Sequence, residues 1–118
     1  MSIQAALGDF ALILNFSGWA AIANLRNKIE IPYTSIDKMQ AGAFEFPLTA
    51  IKRTGISALT YKSGVFVING KKHLISYRDA SKVVILDLKE HEFNKIVIES
   101  EAPEQFVNHL LQRSSCER

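Results

Sequence analysis

The chain has 118 residues, 47% of them hydrophobic, and its 14 Lys and Arg residues against 12 Asp and Glu residues leave a formal net charge of +2. This composition excludes an intrinsically disordered chain, which combines low hydrophobicity with a high net charge. The single cysteine, Cys116, excludes an internal disulfide and indicates a reducing, cytoplasmic location. The length predicts one domain over residues 1–118.

The N-terminal segment is apolar, and Asp9 is its one charged residue before Arg26. The uncharged stretch over residues 10–25 is shorter than the roughly 20 apolar residues of a membrane-spanning helix, and it contains polar residues. No basic segment precedes it, as one would in a signal peptide. We therefore expect this segment to belong to the folded domain.

Alternating apolar residues predict a first strand over residues 8–16. Its apolar side chains lie two residues apart and so share one face of a strand: Phe10, Leu12, Leu14 and Phe16. The Ala- and Leu-rich segment that follows predicts a short helix over about residues 17–26.

The middle of the chain predicts short strands with many interruptions. Residues 28–31 alternate charged residues with isoleucine, and Pro32 then removes a backbone donor, which suits an edge strand or a bulge. Residues 41–64 contain Pro47, Gly55 and Gly64, so this segment predicts no long element.

The C-terminal half has the clearest pattern. Asn69-Gly70 separates two apolar runs, which predicts a hairpin with a type I′ turn. Further apolar runs over residues 82–88 and 93–99 extend the prediction to a four-stranded antiparallel meander. A helix over about residues 100–113 follows, with Pro103 in its first turn and one apolar stripe: Phe106, Val107, Leu110 and Leu111. Residues 114–118 are predicted to form a frayed tail.

Many short strands followed by one amphipathic helix predict a mainly β fold, a curled antiparallel barrel or sandwich that the C-terminal helix covers. In this order of elements the chain resembles the small stand-alone bacterial pleckstrin-homology-like (PH-like) proteins. The segments that carry the resemblance are Gly18 with the helix to Leu25, Ile29-Glu30-Ile31-Pro32, Ser35-Ile36, Gly55, Gly64, Phe66, residues 82–86, residues 93–98 and Pro103.

The resemblance implies a non-enzymatic platform that binds lipid headgroups, peptides or other domains, although a fold alone does not fix a function. Lipid-binding PH domains usually place several Lys and Arg around their first hairpin. The corresponding connection here, residues 17–27, contains Arg26 alone, and Lys28 follows it. This departure argues against phosphoinositide binding of the usual kind.

Basic residues are concentrated over residues 52–82, which contain seven Lys or Arg and one Asp. Such a segment could attract an anionic membrane surface, or it could be a set of solvated side chains that deter edge-to-edge aggregation. Lys71-Lys72 follow one turn and Arg78 and Lys82 flank the next, so we expect the two pairs at opposite ends of the sheet. The candidate anion or lipid contacts are Arg26, Lys28, Lys52, Arg53, Lys71, Lys72 and Arg78.

Three aromatic residues are candidates for a protein interface: Trp19, Phe44 and Phe46. Tryptophan is enriched at binding hot spots, and an exposed loop with two phenylalanines would indicate a partner surface. The competing interpretation is that these rings pack over the end of the barrel.

Catalytic and cofactor chemistry finds no support in the sequence. The three histidines, His73, His91 and His109, lack metal-ligand spacing, and no nucleophile elbow, phosphate loop or dinucleotide motif occurs. Nucleic-acid binding is not expected either, because the net charge is small. We expect a non-enzymatic module without metal or cofactor that docks a protein partner or itself.

Two alternatives remain open at this point. The first is a peripheral sensor of anionic membrane lipid that uses the basic segment over residues 52–82. The second is an enzyme or a small-ligand carrier, which would require a pocket lined by convergent polar groups.

Overall fold

The computed structural model of the protein describes residues 2–17, 27–44, 51–57 and 62–117. These residues form two β-sheets and a C-terminal helix. In chain order the elements are β1 (Ser2–Leu7), β2 (Ala11–Ser17), β3 (Lys28–Pro32), a 3-10 turn (Tyr33–Ser35), β4 (Ile36–Gly42), β5 (Ile51–Ser57), β6 (Lys62–Ile68), β7 (Lys71–Tyr77), β8 (Val83–Leu88), β9 (Lys95–Glu99) and α1 (Pro103–Glu117).

The smaller sheet has the antiparallel order β1-β2-β3. The predicted alternation is confirmed for Leu12, Leu14 and Phe16, which are buried. Phe10, however, is 75% exposed, because the chain turns between Leu7 and Ala11 and Phe10 lies in that turn. The segment predicted as one strand over residues 8–16 therefore contains a turn and β2, and β1 before it was not predicted.

The larger sheet has the order β4-β8-β9-β7-β6-β5. The predicted four-stranded meander over residues 65–99 is wrong, because β9 lies between β7 and β8 and runs parallel to β7. Burial explains this arrangement: Ile96, Val97 and Ile98 of β9 are all buried, so both faces of this strand are covered in a central position.

Local predictions in the same sheet are confirmed. Asn69 and Gly70 have φ values of 54° and 77°, and they join β6 to β7 with Ile68 opposite Lys71. Both central residues have the positive φ that a type I′ turn requires. The predicted strand over residues 82–88 appears as β8, and five of its six residues are buried.

The main core lies where the smaller sheet, one face of the larger sheet and α1 meet. Helix α1 contacts β4, β8 and the 3-10 turn. Its side chains in this core are Leu110, which is fully buried, and the half-buried Phe106 and Val107. The helix begins at Pro103, three residues later than predicted, and continues through Glu117, past the predicted end at residue 113.

A second apolar cluster covers the opposite face of the larger sheet. Its buried members are Phe66, Ile68, Ile75, Tyr77, Val83, Ile85 and Val97, and the half-buried Phe44 and Ala80 pack against them. The predicted mainly β, sandwich-like fold with one C-terminal helix is therefore confirmed, although the sheets do not close into a barrel over the described residues. The predicted short helix over residues 17–26 lies almost wholly outside these residues.

Candidate functional site

Among the strands that the structure describes, β1 is an open edge of the smaller sheet. The directions of its backbone N–H and C=O groups follow from the residue pair Gly8 and Ala11, which adjoins the ladder between β1 and β2. In this pair the Gly8 N–H donates to the Ala11 carbonyl at 2.9 Å. Directly opposite residues of an antiparallel ladder alternate between hydrogen-bonded and non-hydrogen-bonded pairs. Gln4 and Ala6 therefore bond to β2, with Asn15 and Ile13 opposite them.

The alternate positions 3, 5 and 7 of β1 direct their N–H and C=O groups away from β2. These positions are Ile3, Ala5 and Leu7, opposite Phe16, Leu14 and Leu12. The Phe16 N–H supports this assignment, since it donates to the Asn27 carbonyl on the β3 side at 2.7 Å. The outer edge of β1 thus presents three donors and three acceptors, and no described strand pairs with it.

The side chains of β1 leave the core incompletely covered at this edge. Ile3 and Leu7 pack against the main core but are only half-buried, whereas Leu14 on the neighbouring strand is fully buried. Gln4, Ala5 and Ala6 are exposed. An additional strand would cover apolar surface as well as backbone polar groups at this edge.

Strand β1 also lacks the charges that protect a sheet edge. Charged residues, particularly lysine, and proline are usual protections against strand addition. The other three edge strands that the structure describes all contain charged residues, and β4 and β5 also have register irregularities. Strand β1 has the sequence Ser-Ile-Gln-Ala-Ala-Leu.

The opposite edge of the smaller sheet, β3, is blocked. Lys28 and Glu30 are exposed there and form an ion pair at 3.3 Å, and Pro32 has no N–H. The Glu30 carbonyl accepts a hydrogen bond from His91 Nε2 at 3.1 Å. The tautomer is fixed, because His91 Nδ1 accepts from the Phe93 N–H at 3.1 Å. This contrast distinguishes β1 from its counterpart across the sheet.

A row of polar side chains crosses the larger sheet on the face of the second apolar cluster. His73, Lys95, Asp87 and Lys38 occupy directly opposite positions on β7, β9, β8 and β4. Lys95 and Asp87 form an ion pair at 3.3 Å. A pocket of about 570 Å³ lies along this row.

His73 is the buried member of that row. Burial lowers its pKa, and the hydrogen bond from Nδ1 to the Lys71 carbonyl at 2.9 Å partly offsets this effect. Because a carbonyl accepts only, the proton of the neutral ring lies on Nδ1. The pocket therefore contains the His73 imidazole beside the Lys95–Asp87 ion pair, and it lies on a sheet face, not at a barrel mouth.

The predicted basic contacts do not form one site in the described residues. Lys71 and Lys72 begin β7, and Arg78 follows its other end. Lys28 and Lys72 are in ion pairs, the latter with Glu92 at 3.2 Å. At the far end of β7, the Glu99 carboxylate accepts from the Arg78 N–H at 2.6 Å. Of the remaining candidates, Arg26 is outside the described residues, and Lys52 and Arg53 are described only as backbone of β5.

Of the three predicted interface aromatics, only Phe44 is described. It is half-buried, its ring makes an edge contact with Tyr77 at 6.2 Å, and its N–H donates to the Ala80 carbonyl at 2.8 Å. Trp19 and Phe46 lie outside the described residues. The most exposed aromatic in the described segments is Phe10, which the alternation pattern had assigned to the core.

No group of three or more His, Cys, Asp or Glu residues in the described segments could hold a metal ion. None of the helices described there is both long and apolar enough to cross a membrane.

Residues 18–114 match the bacterial PH domain family. The match covers most of the chain and begins after β2, so the open edge at β1 lies outside it. No curated protein and no solved structure shows significant similarity to the chain.

Proposed function

Because this chain belongs to the bacterial PH domain family, whose members generally bind proteins or lipids, we propose that it is a non-enzymatic module that docks a protein chain. The docking site is the outer edge of β1, where a strand of the partner is added to the sheet. The observation that carries the proposal is an edge strand without charge whose three outward backbone donors and three outward acceptors pair with no strand in the described segments.

Energetics favour a partner strand with an apolar face. The edge N–H and C=O groups are hydrated in the free protein, so each new backbone hydrogen bond contributes only about 0.5–1.5 kcal/mol net. Ile3 and Leu7 add a second contribution, since burying apolar surface stabilises by about 25 cal/mol per Å². The partner should therefore place apolar residues at alternate positions, facing the core side of β1.

We expect Ala5→Pro to abolish docking without unfolding the protein. Proline removes the outward N–H of residue 5, which makes no bond to β2, and its ring blocks an added strand. The test is selection of displayed random peptides on the wild-type protein, with Ala5→Pro as the matched control. Enriched peptides should have alternating apolar residues and should lose binding to Ala5→Pro, while circular dichroism shows an unchanged fold. Equal binding to both proteins would overturn the proposal.

Binding to anionic lipid through residues 52–82 is the second candidate, and Lys71 and Lys72 beside the β6–β7 turn are the observation that favours it. A basic residue near an anionic surface contributes about 1 kcal/mol, and an existing ion pair such as Lys72–Glu92 reduces that gain. We therefore expect no sedimentation with phosphatidylserine-containing vesicles at physiological salt. Salt-sensitive sedimentation that the double variant Lys71→Ala, Lys72→Ala abolishes would favour lipid binding instead.

A further inference from the structure

We infer that the strand docked on β1 is β1 of a second copy, paired antiparallel about a two-fold axis at Ala5. This inference rests on the proposed docking edge and identifies its partner. The two parts can fail separately, because a monomeric protein could still dock an unrelated strand.

The orientation of the backbone selects the register. The outward-directed residues are Ile3, Ala5 and Leu7, and hydrogen-bonded pairs across the new interface must join these positions. A two-fold axis at Ala5 places Ile3 opposite Leu7 of the second copy and Ala5 opposite its own equivalent. All three positions then form hydrogen-bonded pairs, which no other symmetric antiparallel register achieves.

The same register matches the side chains. Ile3, Ala5 and Leu7 are on the core side of the sheet, so the half-buried Ile3 meets the half-buried Leu7 of the second copy there. The two Ala5 side chains at the axis are small and allow close approach. Gln4 and Ala6 remain on the other face.

Charge also favours a second copy over a charged partner. Strand β1 has no charged residue, so two identical strands bring no like charges into register. A strongly charged partner strand would find no complementary charge on β1.

A dimer of this kind leaves no free β1 edge to which a third copy could bind. Antiparallel pairing about a two-fold axis uses the β1 edge of both copies, and the sheet becomes β3-β2-β1-β1-β2-β3. Its outer edges are then the β3 strands, which Lys28, Glu30 and Pro32 protect and whose Glu30 carbonyl is bonded to His91. Assembly should therefore stop at a dimer and not continue into a filament.

Charge substitutions at the axis test this register. Position 5 is exposed in the monomer, so a charged side chain is compatible with the fold, but two like charges would meet across the axis. We expect Ala5→Lys and Ala5→Glu each to raise the dimer dissociation constant by about two- to fivefold. An equimolar mixture should restore dimers, because Lys and Glu then face each other.

Sedimentation velocity over about 1–300 μM protein measures these effects, a range suited to a small interface. Gln40→Lys and Gln40→Glu are matched controls, since Gln40 is exposed on β4 in the other sheet, and they should leave the dimer unchanged. A monomeric wild-type protein at the highest concentration would overturn the inference. An Ala5→Lys variant with the dissociation constant of wild type would overturn it as well. So would an equimolar mixture of Ala5→Lys and Ala5→Glu that does not restore the dimer.

The peptide selection separates the two failures. A monomeric wild-type protein whose selected peptides still lose binding to Ala5→Pro would leave the docking edge intact and remove only the second copy as its partner. Selected peptides that bind wild type and Ala5→Pro alike would remove the docking edge itself.

Discussion

Replacing Phe93 by alanine is expected to lower the free energy of unfolding by about 3–5 kcal/mol, the usual cost of truncating a buried phenylalanine. Phe93 is fully buried in the main core and lies in the connection between β8 and β9. Its ring is 6.1 Å from the ring of His91, and Lys72 Nζ is 5.1 Å from its centroid. The variant leaves a cavity beneath this connection and removes both contacts.

The matched control for Phe93→Ala is the identical substitution at Phe10, which is 75% exposed. Surface substitutions of this kind usually change stability by less than about 0.5 kcal/mol. Urea denaturation followed by circular dichroism should therefore separate the two variants clearly. Similar midpoints for Phe93→Ala and Phe10→Ala would contradict the placement of Phe93 in the core.

Replacing Leu110 by alanine is expected to lower the free energy of unfolding by about 2–5 kcal/mol, because Leu110 is fully buried where α1 contacts the main core. Its neighbours in the apolar stripe, Phe106 and Val107, are only half-buried, so they compensate poorly for its loss. Alanine is at least as good a helix former as leucine. The decrease in the free energy of unfolding therefore measures the packing of the helix against the core and not the intrinsic stability of the helix.

Leu111 supplies the internal comparison for the helix. It is the next residue of the same predicted stripe, yet it is 46% exposed. Leu111→Ala should cost less than about 1 kcal/mol, since only part of its side chain leaves water on folding. The two leucine variants are compared by the same urea titration. Equal losses for Leu110→Ala and Leu111→Ala would show that the helix packs in another orientation.

Local patterns in the sequence predicted local structure well. Asn69-Gly70 specifies its own backbone conformation, since both residues adopt positive φ, and the hairpin therefore followed directly from two adjacent residues. The alternation of Leu12, Leu14 and Phe16 likewise predicted one buried face, because side chains of a strand point to opposite faces in turn.

Non-local pairing could not be predicted in the same way. The sequence of residues 95–99 would suit a strand at the sheet edge beside β8, and it would equally suit a strand between β7 and β8. The position of β9 depends on which other elements cover the two faces of the sheet. The turn at Phe10 was missed for a related reason. Phe10 extends the apolar alternation of Leu12, Leu14 and Phe16 by one position toward the N-terminus, although it lies in the turn before β2 and is exposed.

The candidate docking edge illustrates the same limit. Ser-Ile-Gln-Ala-Ala-Leu contains one β-branched residue and no turn signal, so its composition did not predict a strand. Strand β1 is a candidate docking edge because it lies at the end of the β1-β2-β3 sheet and because alternate residues direct their N–H and C=O groups outward. Only the fold defines these two features. The absence of charge was visible in the sequence, but it could be interpreted only once β1 was known to be an edge.

Amide hydrogen exchange at residues 3–7, measured by NMR at low and high protein concentration, tests the central claim most directly. At low concentration the amides of Gln4 and Ala6 should be protected by β2, while those of Ile3, Ala5 and Leu7 exchange rapidly. At high concentration the latter three should become protected as β1 pairs with a second copy. Uniform protection along β1 already at low concentration, or rapid exchange of Ile3, Ala5 and Leu7 that does not depend on concentration, would contradict the account.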